Sequence, residues 1–511
     1  MSKKLNIPVN RVEGDLEITV ELSGGVVKDA WCSGTMFRGI ENILRGRHAL
    51  DGLVITPRIC GICSTTHLAA AAAALDMICG ANVPDNARRV RNIALMTENI
   101  QSDMRHGFLF FAADFTNVAY SGHSLYEEAV RRYRPLKGCT ALETIAETKR
   151  VLEIVAILGG QWPHSSFMVP GGVVTLPGAS DILHCKNRLI NYKEWYERRV
   201  LGCEIERWLE VKSKENLDAW LDESESHKEG ETGFFVRFCR EAGLSNIGAG
   251  HGNFLSYGSL DMPEETAVES GGGALFIKAG FSSGGEVREF DQEKVSEHVA
   301  HSWFQGYEGG RHPLSGLTIP HFDGKDADRY SWAKAPRYDG LPAETGPLAE
   351  LIIAKDPLFT ELVKKEGPSV FVRELARLTR PSRLIPAMEV WLDEIIKSGS
   401  SFYSQPGDVP DGDGFGLIEA ARGALGHWVR IKDSRIEQYQ VITPTAWHAS
   451  PRDSNGRRGP FEESLVGIEV RDLENPVELG QVIRSYDACL VCTVHAIEAS
   501  KGSRILSLRV G

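Results

Sequence analysis

The sequence contains no apolar run long enough to cross a bilayer, and its first residues have neither an apolar signal core nor paired arginines. It has no excess of basic residues either: the net charge is −12, which argues against nucleic acid as a partner. Most of its ten cysteines are scattered without the spacing of a disulfide framework. These scattered residues are Cys32, Cys79, Cys139, Cys185, Cys203 and Cys239. We therefore expect a cytoplasmic protein, associated with the inner face of the membrane only through partners.

The other four cysteines form two Cys-x-x-Cys pairs, one near each end of the chain. Cys60 and Cys63 lie in the sequence RICGIC, and Cys489 and Cys492 lie in DACLVC. If the fold brings the pairs together, four thiolates make a soft ligand set for zinc, nickel, iron or an iron–sulfur cluster. The spacing alone leaves a structural zinc site and a catalytic metal site equally open.

A histidine accompanies each pair. His67 lies four residues after Cys63, at the start of an alanine-rich run that predicts a buried helix. One helical turn from the cysteine, its ring is placed to form a hydrogen bond to a ligand sulfur. His495 follows Cys492 at the same spacing of three that separates Cys489 from Cys492, so all three side chains are expected on one side of the backbone.

Hydrophobic periodicity predicts the α+β class, mainly α, with a helix-rich core and small peripheral sheets. Residues 5–35 alternate as a β-hairpin around a Gly-Gly turn. From residue 64 to 230 the pattern is helical, with long candidate helices at 85–115, 141–159 and 181–220.

The second half of the chain is less regular. Residues 231–345 are rich in glycine and predict short strands with many turns. Helical patterning returns at about 346–400, a loop is predicted at 401–416, and a strand at 436–443.

Short motifs along essentially the whole chain resemble those of the [NiFe]-hydrogenase large subunit, in the family's order. The motifs are residues 11–14 (RVEG), 37–41 (FRGIE), 58–67, 160–172, 330–338, 421–427 (ARGALGH), 443–447 (TPTAW), 450–453 (SPRD) and 487–495. The sequence of residues 160–172 is most similar to that of the family's group 2, the cytosolic uptake and sensing branch. The chain departs from the family pattern at four positions, which are Asp15, Ala421, His448 and Ala488.

The resemblance implies a Ni-Fe(CN)2CO centre and a nearby Mg2+. All four motif cysteines would bind nickel, with Cys63 and Cys492 bridging to iron and Cys60 and Cys489 terminal. The magnesium ligands implied are the Glu41 carboxylate, the His495 ring and a backbone carbonyl, that of Val441. Lys334 is implied to hold magnesium-bound water.

The resemblance also implies roles in catalysis. Cys489 would take the proton of heterolytically split H2 and pass it to Glu13. The Arg422 guanidinium would lie over the metals against a cyanide and pair with Asp487, and the Thr445 hydroxyl would donate to the second cyanide.

The implied assembly is a single interwoven hydrogenase large-subunit domain over residues 1–495, followed by an extension, 496–511, that is removed on maturation. The implied partners are a small subunit with iron–sulfur clusters, a maturation endopeptidase and nickel-insertion proteins, and a higher oligomer of heterodimers. The predicted function is uptake oxidation of H2. The alternatives are a regulatory H2 sensor, the quinone-binding subunit of respiratory NADH dehydrogenase, and a structural protein stapled by zinc.

Overall fold

The computed structural model describes residues 3–264, 275–322, 324 and 328–489. Its α-helices are Ile40–Leu44, Gly52–Ile55, Ser64–Cys79, Asp85–Arg105, Tyr126–Tyr133, Cys139–Val151, Glu153–Gly159, Ala179–Trp195, Ile205–Leu209, Lys214–Glu223, Glu225–Glu229, Glu231–Ala242, Pro347–Ile353, Pro357–Glu366, Val370–Thr379, Pro381–Lys397, Pro444–His448, Pro460–Leu465 and Val477–Ser485. Among these described helices, not one combines the length and the apolar character needed to span a membrane.

Small antiparallel sheets lie around the helices. Their strands are Lys3–Pro8, Leu16–Ser23 and Val26–Gly34 in one sheet, Met168–Val169 and Gly172–Val173 in a second, Phe254–Asp261, Leu275–Ser283 and Glu286–Arg288 in a third, Val295–His298 and Ala335–Tyr338 in a fourth, and Gly412–Ala420, Gly423–Lys432 and Arg435–Ile442 in a fifth. The mainly α fold predicted from periodicity is therefore confirmed.

Two wide turns and several tight ones connect these elements. The π-helical segments are His106–Phe111 and Tyr196–Leu201. The 3-10 segments are Ala49–Asp51, Thr56–Arg58, Ala112–Thr116, Val118–Tyr120, Leu244–Asn246, Gln292–Lys294 and Pro313–Ser315. Both π segments continue a long helix, where such turns often mark a functional site or a change of direction.

The helix that follows the first cysteine pair packs directly on a strand. This helix, Ser64–Cys79, is buried along its alanine-rich length and ends at Gly80, whose φ of 56° is left-handed. It lies so close to the strand Gly412–Ala420 that a Cβ on Gly416 would come within 1.9 Å of the Ala70 carbonyl oxygen. Glycine in the strand and alanine in the helix thus set the position of the helix start, where Cys63 is the N-cap.

Several predicted boundaries change in the structure. The predicted helix over 181–220 is broken into Ala179–Trp195, a π turn, and two shorter helices, because Gly202 has a φ of 77° and lies against the backbone of the helix Glu225–Glu229. The predicted loop over 401–416 is wrong at its end, since a strand begins at Gly412. The N-terminal hairpin is confirmed and gains a third strand.

Candidate metal centre

Cysteines from the two ends of the chain meet in the interior. The sulfur atoms of Cys60, Cys63 and Cys489 lie within 4.8 Å of one another, and all three residues are buried. The Cys60 and Cys489 sulfurs are 3.6 Å apart, so they are separate thiols and not a disulfide. Cys492 and His495 lie outside the described residues. Three buried thiols at these distances form most of a tetrahedral sulfur site.

Two charged side chains fix the loop that carries Cys60 and Cys63. The Arg38 guanidinium donates to the carbonyl oxygens of Ile59 at 2.6 Å and Arg58 at 2.9 Å. The buried carboxylate of Glu98 accepts from the backbone N–H groups of Thr65 at 2.9 Å and Thr66 at 3.1 Å. The Glu98 carboxylate therefore caps the first turn of the helix Ser64–Cys79, because the N-cap residue Cys63 makes no side-chain hydrogen bond there.

Glu13 reaches the site through a backbone bridge. Its backbone pairs in parallel with Cys489, and its N–H donates to the Ala488 carbonyl oxygen at 3.4 Å. Partial burial raises the pKa of the Glu13 carboxyl, the Arg422 guanidinium opposes the increase, and the Cys60 thiol and Asp487 add to it. A half-buried carboxyl with a raised pKa accepts a proton more readily than an exposed one.

Arg422 faces the thiols from a tight turn. The turn links the strands Gly412–Ala420 and Gly423–Lys432, and Gly423 has a φ of 119°. Arg422 Nε donates to Asp487 Oδ1 at 3.0 Å, which is the expected pairing. Burial alone would lower the pKa of Arg422, but Asp487 and then the thiols of Cys489, Cys63 and Cys60 raise it well above the ordinary value.

The hydrogen bonding of one nitrogen in the Arg422 guanidinium bears on what this site can bind. Among the described atoms, Arg422 Nη1 is buried without a hydrogen-bond partner. Such an orphaned donor on a buried cation costs free energy unless a ligand accepts from it. The sulfur-rich donor set and this nitrogen together fit a metal centre that carries an anionic ligand.

The predicted ligand-holding residues Thr445 and His67 also lie at the centre. Thr445 Oγ1 accepts from the Cys489 N–H at 2.9 Å, so its own hydrogen is available to another acceptor. His67 Nδ1 is 3.0 Å from His427 Nε2, and His427 Nδ1 is 2.9 Å from the Tyr439 hydroxyl. Burial lowers the pKa of His67 to about 4, so its ring is neutral.

Two of the three predicted magnesium ligands, Glu41 and Val441, lie in a second buried polar cluster. Glu41 Oε1 accepts from the Val441 N–H at 2.9 Å, and Thr318 donates to the other carboxylate oxygen. Lys334 Nζ lies 3.8 Å from Glu41 Oε2 and 3.3 Å from Glu297 Oε2. Burial, with the nearby Glu41 carboxylate, raises the pKa of Glu297 to about 7, against the opposing effect of Lys334. Two carboxylates against one ammonium leave an acidic pocket that suits a hard divalent cation.

Sequence reasoning missed several side chains around the centre. Glu98, Glu297 and His106 belong to no motif that we recognised. Glu98 and His106 lie in the predicted helix at 85–115, where polar residues occur on every face, so the periodicity did not distinguish them. Glu297 lies in the irregular, glycine-rich part of the chain, where no periodicity distinguishes it.

Comparison with known proteins defines the class. The nickel-dependent hydrogenase family model matches residues 38–132 and 236–495. The chain is 33% identical to the periplasmic [NiFeSe] hydrogenase large subunit of Desulfomicrobium baculatum, over 97% of this chain and 95% of that one. It is 28% identical to the hydrogenase-2 large chain of Escherichia coli K12, over 100% of both.

Solved structures agree with this assignment. The reduced, active Ni-Fe-Se hydrogenase of Desulfomicrobium baculatum superposes with a TM-score of 0.81 at 31% identity, over 97% of this chain and 100% of that one. The Ni-Fe-Se hydrogenase of Desulfovibrio vulgaris Hildenborough in the reduced state gives 0.80 at 30% identity, with the same coverage. The chain belongs to the nickel-dependent hydrogenase family and has the hydrogenase large-subunit fold. It is an oxidoreductase that acts on H2.

Proposed function

We propose that this chain is the catalytic subunit of a [NiFe] uptake hydrogenase, which oxidises H2 to protons and electrons. The observation that carries the proposal is the meeting of buried thiols from both ends of the chain beneath an arginine nitrogen that has no partner among the described atoms. A zinc site that only staples the fold needs sulfur ligands but has no use for a buried, unsatisfied guanidinium.

The cysteine cluster holds the metals in this proposal. Cys60, Cys63, Cys489 and Cys492 would hold the nickel, and Cys63 and Cys492 would be shared with an iron that carries one carbon monoxide and two cyanides. When bound, this centre supplies the Lewis acid that polarises H2 and the redox partner that takes its electrons. Arg422 Nη1 and the Thr445 hydroxyl are the donors placed for the two cyanides.

Proton transfer follows from the contacts of Glu13. With the metals bound, the Cys489 thiolate would take one proton of H2 while the metal centre takes the two electrons and the other proton, and Glu13, whose backbone pairs with that of Cys489, would accept the proton from the thiol. A carboxyl in this position works because its raised pKa brings it closer to that of a thiol than an exposed glutamate would be. Asp487 is the counter-charge that holds Arg422 in place during the transfer.

The second cluster holds magnesium in this proposal. Glu41, the Val441 carbonyl and the His495 ring would be the protein ligands, and Lys334 with Glu297 would hold bound water. The support is the placement of Glu41 at the Val441 backbone beside a second buried carboxylate.

Electrons leave through a partner. Within the described residues, the cluster of Cys60, Cys63 and Cys489 is the one group of three or more side chains arranged to hold a metal. We propose that a small subunit supplies the iron–sulfur clusters, that heterodimers assemble further, and that nickel-insertion proteins load the site.

We also propose that residues 1–495 form one domain and that an endopeptidase cuts the chain after His495 once nickel is in place. The intact mass of the purified chain would show this cleavage.

The cellular location is proposed from thiol chemistry. None of the described cysteines is in a disulfide bond, which favours a reducing compartment and the group 2 branch suggested by residues 160–172. The name of the Desulfomicrobium baculatum relative places that protein in the periplasm. Fractionation of the source cells decides between the cytoplasm and the periplasm.

The proposed function is tested by turnover. The purified complex, kept free of oxygen, should reduce a viologen dye in the presence of H2 at about 10 per second or faster, within the usual range for enzymes. A regulatory H2 sensor would bind H2 and turn over far more slowly. A preparation that contains nickel and iron but shows no reduction that depends on H2 would contradict the proposal.

A further inference from the structure

A histidine outside every recognised motif lies against the residue that holds Arg422. His106 begins the π-helical segment His106–Phe111, which follows the helix Asp85–Arg105. Its ring is buried, and its Nδ1 lies 3.0 Å from Asp487 Oδ1, the same oxygen that accepts from Arg422 Nε. Its Nε2 lies 3.1 Å from Glu374 Oε1. The imidazole therefore bridges two buried carboxylates.

These contacts favour a charged ring. A neutral imidazole carries a proton on one nitrogen and a lone pair on the other, and here each nitrogen faces a carboxylate oxygen. Either neutral tautomer would press a lone pair against an anion in the interior. Burial alone would lower the pKa of His106, but Asp487 and Glu374 raise it above the ordinary value.

Among the salt-bridged groups linked to His106, the charges balance when His106 is a cation and every linked carboxyl is ionised. The linked carboxylates are Asp103, Glu350, Glu374 and Asp487, and the linked cations are His106, Arg377, Arg380 and Arg422. With the imidazolium, four positive charges meet four negative ones. With a neutral ring the network would bury one unpaired negative charge, which is strongly unfavourable.

Asp487 connects this network to the cysteine cluster. Its φ of 57° is left-handed, which is uncommon for a residue with a side chain, and it stands two residues before Cys489. Its carboxylate has cations on both sides, with Arg422 and His106 on Oδ1 and Arg377 Nη1 at 3.3 Å from Oδ2. Removal of one cation leaves the carboxylate free to turn toward the others.

We propose that His106 is a positioning residue, whose imidazolium holds the Asp487 carboxylate and thereby aims the Arg422 guanidinium at the cysteine cluster. The effect on H2 oxidation rests on the proposed function, whereas the effect on the geometry of Arg422 does not. His106 touches no reacting atom in this account. It acts through Asp487, so substitution of His106 and substitution of Asp487 should both displace the Arg422 guanidinium.

The test compares His106→Gln with His227→Gln in the purified complex. His227 is a matched control, since it is also buried and makes a 2.7 Å hydrogen bond to the Trp220 carbonyl oxygen, but it belongs to a helix that takes no part in the centre. In crystal structures, His106→Gln should break or lengthen the 3.0 Å contact between Arg422 Nε and Asp487 Oδ1, and His227→Gln should keep it. An unchanged contact in His106→Gln overturns the proposal whatever metal is bound.

Spectroscopy and kinetics give the second readout. With nickel and iron contents equal to wild type, His106→Gln should shift the cyanide stretching bands in the infrared and lower kcat about 10- to 100-fold, the cost of a displacement of about 1 Å. The double variant His106→Gln/Asp487→Asn should be no slower than Asp487→Asn alone. Cyanide bands and a kcat that are both unchanged in His106→Gln would contradict the positioning role. Fully additive losses of kcat in the double variant would contradict it as well. Wild type without cyanide bands contradicts the proposed function instead, and the crystallographic comparison still decides the role of His106.

A second variant covers failure of the first to fold. Glu374→Gln keeps the volume of the side chain and the histidine but removes the charge that faces Nε2. It should move the same bands in the same direction with a smaller loss of kcat. A Glu374→Gln enzyme that is indistinguishable from wild type in bands, kcat and the Arg422–Asp487 contact counts against the proposal.

Discussion

Cys489→Ser is expected to remove nickel and abolish H2 oxidation. Cys489 comes from the opposite end of the chain to Cys60 and lies 3.6 Å from it, so the loss of its thiolate opens the cluster. A serine hydroxyl is a hard, protonated donor at neutral pH and does not replace a thiolate toward nickel. A bound metal supplies several kcal/mol of transition-state stabilisation, which corresponds to a loss of about a thousandfold or more.

The measurement is the nickel content by elemental analysis together with dye reduction under H2. Cys239→Ser is the matched control, because Cys239 is equally buried but lies apart from the cluster. That variant should lose some thermal stability and retain nickel and turnover. Nickel bound at wild-type level in Cys489→Ser, with normal turnover, would refute the assignment of this cysteine as a ligand.

Glu13→Gln is expected to slow turnover by about a hundredfold to a thousandfold with the metals in place. The amide keeps the shape of the carboxyl but cannot accept a proton from Cys489, and a positioned acid–base group contributes about this much to a rate. The backbone bridge between Glu13 and Cys489 does not involve the carboxyl and should survive the change.

Isotope exchange separates this role from a structural one. If Glu13 only carries the proton away, the variant should still convert para-H2 to ortho-H2 within the site while its exchange of H2 with D2O falls together with turnover. Glu17→Gln, on the exposed side of the strand Leu16–Ser23, is the control and should match wild type in both. Equal loss of conversion and exchange in Glu13→Gln would show damage to the centre instead of a blocked proton path.

Features that a short stretch of sequence encodes could be predicted from the sequence. The cysteine pairs stand out because each fits within four residues, and the alanine-rich run predicts a buried helix that the structure confirms as Ser64–Cys79. The pairing of Arg422 with Asp487 was predictable because both residues lie in recognisable motifs. These features required no knowledge of how distant segments pack.

The features that escaped prediction depend on contacts between distant segments. His106 is joined to Glu374 and Asp487, which lie 268 and 381 positions further along the chain, and no local pattern encodes that meeting. The strand that begins at Gly412 looks like a loop in sequence because glycine disfavours strands. Gly414 and Gly416 are required by the closeness of the helix Ser64–Cys79, which only the folded chain shows.

The polar cluster around Glu41 contains residues that were predicted from the sequence and residues that were not. Glu41 and Val441 were predicted from motifs, and the structure places the Val441 N–H 2.9 Å from Glu41 Oε1. Glu297 and Gln440, which hold the Lys334 ammonium at 3.3 Å and 2.6 Å, were not predicted. Their role depends on three segments that the fold brings together, so the composition of the pocket could be derived only from the structure.

Infrared spectroscopy of the purified complex, with metal analysis of the same sample, tests the central claim most directly. A Ni-Fe(CN)2CO centre in this cysteine cluster predicts nickel and iron at about one each per chain, with stretching bands from one carbon monoxide and two cyanides that shift when H2 is admitted. A protein that carries zinc as its one metal and shows none of these bands would contradict it.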